Sequence, residues 1–181
     1  ISNAEPSVSA KSSWLGRVVT QHLAEYLPTF GTEFTVLLSQ ILLYKFAAHY
    51  LGKSGFSEYA IVRRLVSLIS PIPLLGIGIG LPRYIGYSKG KEDESAADRY
   101  YHAALACVVI AALLCVLAMN LASKYFAFLF FGSMSYAHFV FPLSAMIAGL
   151  CLHTVACGYF RGNMAMNRAN LLQLINLAFL P

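Results

Sequence analysis

Residues 100–123 contain no Lys, Arg, Asp or Glu, and after the single charge of Lys124 residues 125–160 contain none either. A helix needs about 20 apolar residues to cross the hydrocarbon core, because about 30 Å is covered at about 1.5 Å per residue. Both runs have that length and polarity, which predicts an all-α integral membrane protein. The remaining pattern places the other helices. Residues 28–51 form a first span, with Pro28 suited to a first helical turn and Gly52 to an end. A second span covers 56–81. It is predicted to be broken, since Pro71 and Pro73 each remove a backbone donor and Gly76, Gly78 and Gly80 follow. The third span is 100–121, the fourth 136–160, and the fifth, 168–181, begins after a short turn and is incomplete. This is a polytopic bundle of about five helices by the span-length rule.

Between the spans the polarity changes character. Residues 1–13, rich in Ser and Ala and lacking an apolar core, are expected to be a disordered tail rather than a secretory signal. Over residues 14–27, Leu15, Val18, Val19, Leu23 and Tyr26 recur at helical spacing while Arg17, Gln21 and Glu25 share the opposite face, as in an amphipathic helix lying in the interface. Residues 86–99 read as a polar loop. Lys124 and the rings of Tyr125, Phe126, Phe128, Phe130 and Phe131 mark a membrane boundary, where aromatic rings favour the headgroup level and Lys snorkels.

Composition agrees: hydrophobic residues make up 58% of the chain and charged residues 12%, with a mean hydropathy of +0.63. The net charge of +5 does not point to nucleic acid, because the basic residues stand singly or in pairs at span ends rather than on one polar face. Cys107, Cys115, Cys151 and Cys157 form no CxxC and no zinc-like Cys/His spacing, so no metal and no cofactor is expected. The aspartates are Asp93 and Asp98, without a DxD, and an enzyme is not expected. Counting Lys and Arg at the flanks sets orientation. Lys11, Arg17, Arg83, Lys89, Lys91, Arg99, Arg161 and Arg168 fall on one side and Lys45, Lys53 and Lys124 on the other, which predicts a cytoplasmic N-terminus.

Charges inside the spans are the candidate functional residues, since an uncompensated charge in hydrocarbon is costly. Arg63 and Arg64 lie about 10 Å into the second span at helical rise. Either they line a polar cavity for anionic cargo, or Glu58 or Glu33 pairs with them, or they snorkel to headgroups. Pointing about 100° apart, both are not expected to face one group. Glu33 is either a coupling-ion or cavity carboxylate or a solvated boundary residue. Lys45 reads as an interfacial lysine. His153, beside Thr154, either lines the cavity or makes an interhelical hydrogen bond. The glycine repeat lacks GxGxxG and GK[ST], so it is no nucleotide loop. Gly76 and Gly80 have a small-xxx-small spacing for helix contact, and with Pro71 and Pro73 they offer a bending element.

The string Tyr50-Leu51-Gly52-Lys53-Ser54-Gly55-Phe56-Ser57-Glu58-Tyr59, followed by Gly78-Ile79-Gly80-Leu81-Pro82-Arg83-Tyr84-Ile85, resembles the first helix turn and second helix of polysaccharide (O-antigen type) flippases of the multidrug/oligosaccharidyl-lipid/polysaccharide exporter superfamily. Tyr159-Phe160-Arg161-Gly162 and Asn167-Arg168-Ala169-Asn170 look like that family's turn between the fourth and fifth helices. The likeness runs from about Leu27 onward by helix placement. Arg63-Arg64 departs from it, where many members are apolar. The resemblance implies two six-helix lobes around a cavity that opens alternately to each side, residues 28–181 being most of the first lobe and the chain an excerpt. It implies an undecaprenyl-pyrophosphate-linked sugar unit as cargo, flipped across the bacterial inner membrane. The implied partners are membrane lipids, that lipid-linked oligosaccharide, and a polysaccharide polymerase or other assembly proteins. A drug or metabolite antiporter of the same superfamily, or a non-transport membrane assembly protein, are the alternatives.

Overall fold

A computed structural model describes residues 8–176, with side chains from residue 27 onward. The expectations for residues 1–7, for the polar and apolar faces of residues 14–26 and for the end of the fifth span at 177–181 lie outside the described residues. Every element among those described is helical. They are α1 (Val8–Ile69), α2 (Pro71–Leu74), α3 (Ile77–Gly90), α4 (Glu94–Leu121), α5 (Ser123–Phe131), a 3-10 turn (Met134–Tyr136), α6 (Ala137–Gly162) and α7 (Met166–Leu174). The backbone is helical from Val8, within the stretch expected to be a tail. Three stretches are long and apolar enough to cross a membrane: Leu27–Leu74, Glu94–Leu121 and Met134–Gly162. The fold is thus an all-α, polytopic membrane fold.

The first of these stretches has 48 residues. Straight, it would reach about 72 Å, more than twice the hydrocarbon core. It does not run straight, because Gly52 sits at φ 66, ψ −172, a backbone region that only glycine enters without strain. Beyond that point the chain returns along itself. Tyr44 meets Phe56 and Tyr59, and Arg63 reaches back to Gln40. The index sums of 40 with 63 and 44 with 59 are equal, as two antiparallel arms folded at Gly52 require. We call them the first arm (residues 27–51) and the second arm (residues 53–69).

The second arm ends where the prolines begin. Pro71 opens the short α2, Leu75 (φ 49) and Gly76 (φ 76) turn left-handed, and α3 restarts at Ile77. Pro71 and Pro73 therefore lie in α2, with Pro73 buried. Residues 86–99, expected as a loop, are mostly helix. Lys91, Glu92 and Asp93 make the whole turn between α3 and α4. Asp93 is the reason: its carboxylate accepts from the Ser95 hydroxyl at 2.7 Å and the Ala96 N–H at 2.9 Å, capping the first turn of α4. These hydrogen bonds, the Ser95 hydroxyl first, hold the Asp93 carboxyl below its ordinary value.

The packed core lies among α3, α4 and α6. On α6, Val140, Leu143, Ile147, Cys151, Val155, Gly158 and Gly162 are buried at steps of three or four residues, one stripe of a helix. Val108 and Met119 meet it from α4, and Leu81 and Ile85 from α3. Apolar transfer contributes little inside lipid, so close packing of small residues does more of the work. A Cβ placed on Gly162 would stand 2.7 Å from Ile85 Cβ and 3.1 Å from Pro82 Cα, so α3 and α6 touch backbone to backbone here. Gly76 and Gly80, expected to make such a contact, do not. Gly76 supplies a positive φ in open space, and Gly80 faces only Tyr84 of its own helix, at 3.9 Å. Helical spacing is necessary for close approach, but it does not choose which face meets a neighbour.

The aromatic cluster divides between surface and interior. Tyr125 and Phe128 of α5 are exposed, whereas Phe131 stacks on Tyr136 at 5.3 Å and Phe126 and Phe130 pack against the core.

Candidate functional site

Two polar clusters within the apolar bundle contain residues expected at the site. The first joins α1, α6 and α7. Gln173 of α7 is buried, and its amide oxygen accepts from Arg161 Nη2 at 2.8 Å while its amide nitrogen donates to Glu33 Oε1 at 2.9 Å. An acceptor toward the cation and a donor toward the anion is the one amide orientation that satisfies both partners. One turn earlier, Asn170 Nδ2 donates to Thr29 Oγ1 at 3.1 Å. Thus α7 is fastened to the first arm by two side-chain amides on one face. Thr32, itself buried, donates to the Pro28 carbonyl at 2.9 Å, so its hydroxyl is satisfied within its own helix.

Beside this relay lies a cavity of about 210 Å³ lined by Gly78, His153, Thr154, Cys157, Arg161 and Gln173. His153 and Cys157 are one turn apart on α6, with Nε2 3.5 Å from Sγ. Thr154 donates to the Leu150 carbonyl at 2.8 Å, so its methyl is turned to α3, 2.9 Å from where a Cβ on Gly78 would stand. Gly78 is the glycine of the repeat that is pressed by a neighbouring helix. A cavity walled by an imidazole, a guanidinium and an amide can hold water or a polar group within the bundle.

The second cluster lies between the two arms of α1. Arg63 donates to Gln40 Oε1, and its guanidinium lies 6.0 Å from the Tyr44 ring centre and 5.9 Å from that of Tyr59. The Tyr59 hydroxyl is buried and has no hydrogen-bond partner among the described residues. Arg63 is eleven residues past Gly52, hence about 16 Å along the arm from the turn, about half the thickness of a hydrocarbon core of about 30 Å. The carboxylates that offered to neutralise it are engaged elsewhere: Glu58 accepts from Tyr136 at 3.3 Å, and Glu33 from Gln173. Among the described residues its contacts are a neutral amide and two rings.

The structure therefore does not gather the expected residues into one site. Glu33 and His153 belong to the α1–α6–α7 relay and its cavity, and Arg63 to the α1 hairpin. Arg64 lies on the exposed side of the second arm, and Lys45 is exposed on the first. The sequence reading missed Gln173 and Arg161. By sequence Arg161 falls in a turn and Gln173 in an apolar run. An uncharged amide in a membrane span was the available signal, since such groups seek a partner there.

No match is found among curated proteins or among solved structures. A family model does match: residues 28–169 fit MatE, a stretch that includes both arms of α1, all of α2 to α6 and the start of α7. An all-helical membrane bundle with intramembrane polar clusters accords with that match, and the chain belongs to the MatE family of membrane transporters.

Proposed function

We propose that the protein is a flippase that moves an undecaprenyl-pyrophosphate-linked sugar unit across the bacterial inner membrane by alternating access, with Arg63 among the groups that receive the pyrophosphate. The observation that carries this reading is Arg63 between the two arms, held by Gln40 and flanked by Tyr44 and Tyr59, without a carboxylate partner among the described residues. A cation so placed favours an anionic ligand, because screening by water is weak there and charged hydrogen bonds are strong. Rings on either side suit a sugar face. The polyprenyl tail can stay in lipid, and the sugar-phosphate part needs a wet, polar route.

The second reading is a drug or metabolite antiporter of the same family. It draws on Glu33, whose carboxylate accepts from Gln173, a residue that lines the α6–α7 cavity, and suits a cationic cargo or a coupling ion. Charge at Arg63 separates the two. In the complete protein, with membrane abundance checked, Arg63→Lys is expected to keep most surface-polysaccharide complementation. Arg63→Gln and Arg63→Ala should weaken cargo capture roughly 10- to 100-fold, the loss of one charge-assisted contact of about 1.5–3 kcal/mol. Arg64→Gln, on the exposed side, should leave function near wild type. Full complementation by Arg63→Gln and Arg63→Ala at normal abundance overturns the cationic-site reading.

A further inference from the structure

We propose that the Gly52 end of the first arm holds one anionic phospholipid, with its phosphate between Lys45 and His49 and an acyl chain against Leu42 and Phe46. The site is independent of the cargo reading. Its starting observation is an open cavity of about 570 Å³ along the first arm, lined by Leu42, Lys45, Phe46, Ala48 and His49, where two nitrogen-bearing side chains stand beside apolar ones. Lys45 and His49 are four residues apart, so they stand one above the other on a single helix face.

Depth supports a headgroup phosphate. Lys45 is seven residues and His49 three residues before the turn at Gly52, about 10 Å and about 5 Å along the axis. A lysine stem is long enough for its ammonium to reach from the deeper position toward the level of the imidazole. Charge supports an anion. Among the described residues the only ion pair is Arg99 with Asp93, far along the chain, so Lys45 has no carboxylate partner. Glu58, the acidic residue on the facing arm, is taken by Tyr136. Lys53, just past the turn, adds a further positive charge. Aromatic contacts shape the wall. Phe46 stacks on Tyr50 at 6.3 Å, and the His49 ring stands edge-on to Tyr50 at 5.2 Å, which restricts where its nitrogens can point. Leu42 and Phe46 remain exposed beside them and give an acyl chain an apolar track.

The complete protein, purified in a neutral detergent and supplied with equal amounts of phosphatidylglycerol and phosphatidylcholine, is the sample for native mass spectrometry. Wild type should retain phosphatidylglycerol in preference to phosphatidylcholine. Lys45→Gln combined with His49→Gln should lower the phosphatidylglycerol-bound fraction at least threefold, while Lys124→Gln, at the start of α5, should not. Equal retention by the double variant, or no preference for phosphatidylglycerol in wild type, overturns the proposal. Should the double variant not be recovered folded, wild type still decides. Phosphatidylglycerol carrying a photoreactive acyl chain should label peptides that contain residues 42–49, and labelling confined to other helices refutes the site.

Discussion

The Asp93 carboxylate turns a charged segment into a helix start, and its acid sensitivity follows from that role. Its folded value is lowered, chiefly by the Ser95 hydroxyl and then the Ala96 N–H. The stabilisation it provides is therefore complete above the ordinary carboxylate range and is lost as pH falls through the lowered folded value. Asn caps a helix comparably but does not titrate. The melting temperature of wild type relative to Asp93→Asn should hold steady at neutral pH and fall between about pH 5 and about pH 3. A difference that stays constant over that window shows that the cap does not depend on ionisation. The same residue illustrates what sequence conceals. Asp, Glu and Ser over residues 92–95 read as loop because they are polar, yet polar residues are also what begins a helix. Arg63 was legible as an intramembrane charge. Its partner was not, because Gln40 lies 23 residues away and only the fold at Gly52 returns the chain to it.

At the level of elements, helices meet where side chains are small, and α3 meets α6 at Gly158 and Gly162. Gly162→Ala would drive a methyl to 2.7 Å from Ile85 Cβ, with Pro82 Cα behind it. Overpacking of this kind costs about 1–3 kcal/mol. Gly80→Ala meets only a ring carbon of Tyr84 at 3.9 Å, and in a helix interior alanine gains about 0.5–1 kcal/mol over glycine. In detergent, Gly162→Ala should therefore melt clearly below wild type and Gly80→Ala at or above it. The reverse order shows that the α3–α6 contact is not as close as described. The break between the second arm and α3 could be read from Pro71 and Pro73, since a missing donor acts locally. The choice between Gly80 and Gly162 could not, because it depends on which way each helix is turned.

At the scale of the whole molecule, large apolar side chains face outward along α1, α3 and α4, among them Phe30, Ile79 and Leu121. Such a surface suits lipid or further helices, as expected for a membrane transporter. Basic residues concentrate at the end that carries the α3–α4 turn and the α6–α7 turn, and that end is expected to face the cytoplasm. Lys91→Cys and Met134→Cys test this in a background with the four native cysteines replaced, since both positions are exposed in turns at opposite ends. In intact cells an impermeant thiol reagent should label position 134 and spare 91. Labelling of 91 alone inverts the orientation.

What the sequence by itself determined is set by composition and local chemistry. Uncharged runs longer than about 20 residues demanded a membrane, since a backbone in hydrocarbon must satisfy its own hydrogen bonds. Proline and glycine marked where helices stop, because their effects reach no further than the adjacent turn. Tertiary structure alone decided which polar groups meet. It brought Gln173 to Glu33 and to Arg161, and Gln40 to Arg63, across separations of 140, 12 and 23 residues. No local pattern encodes such pairs. A buried amide or guanidinium must find some partner, but which partner depends on the rotation and crossing of whole helices, which small-residue packing sets elsewhere in the bundle.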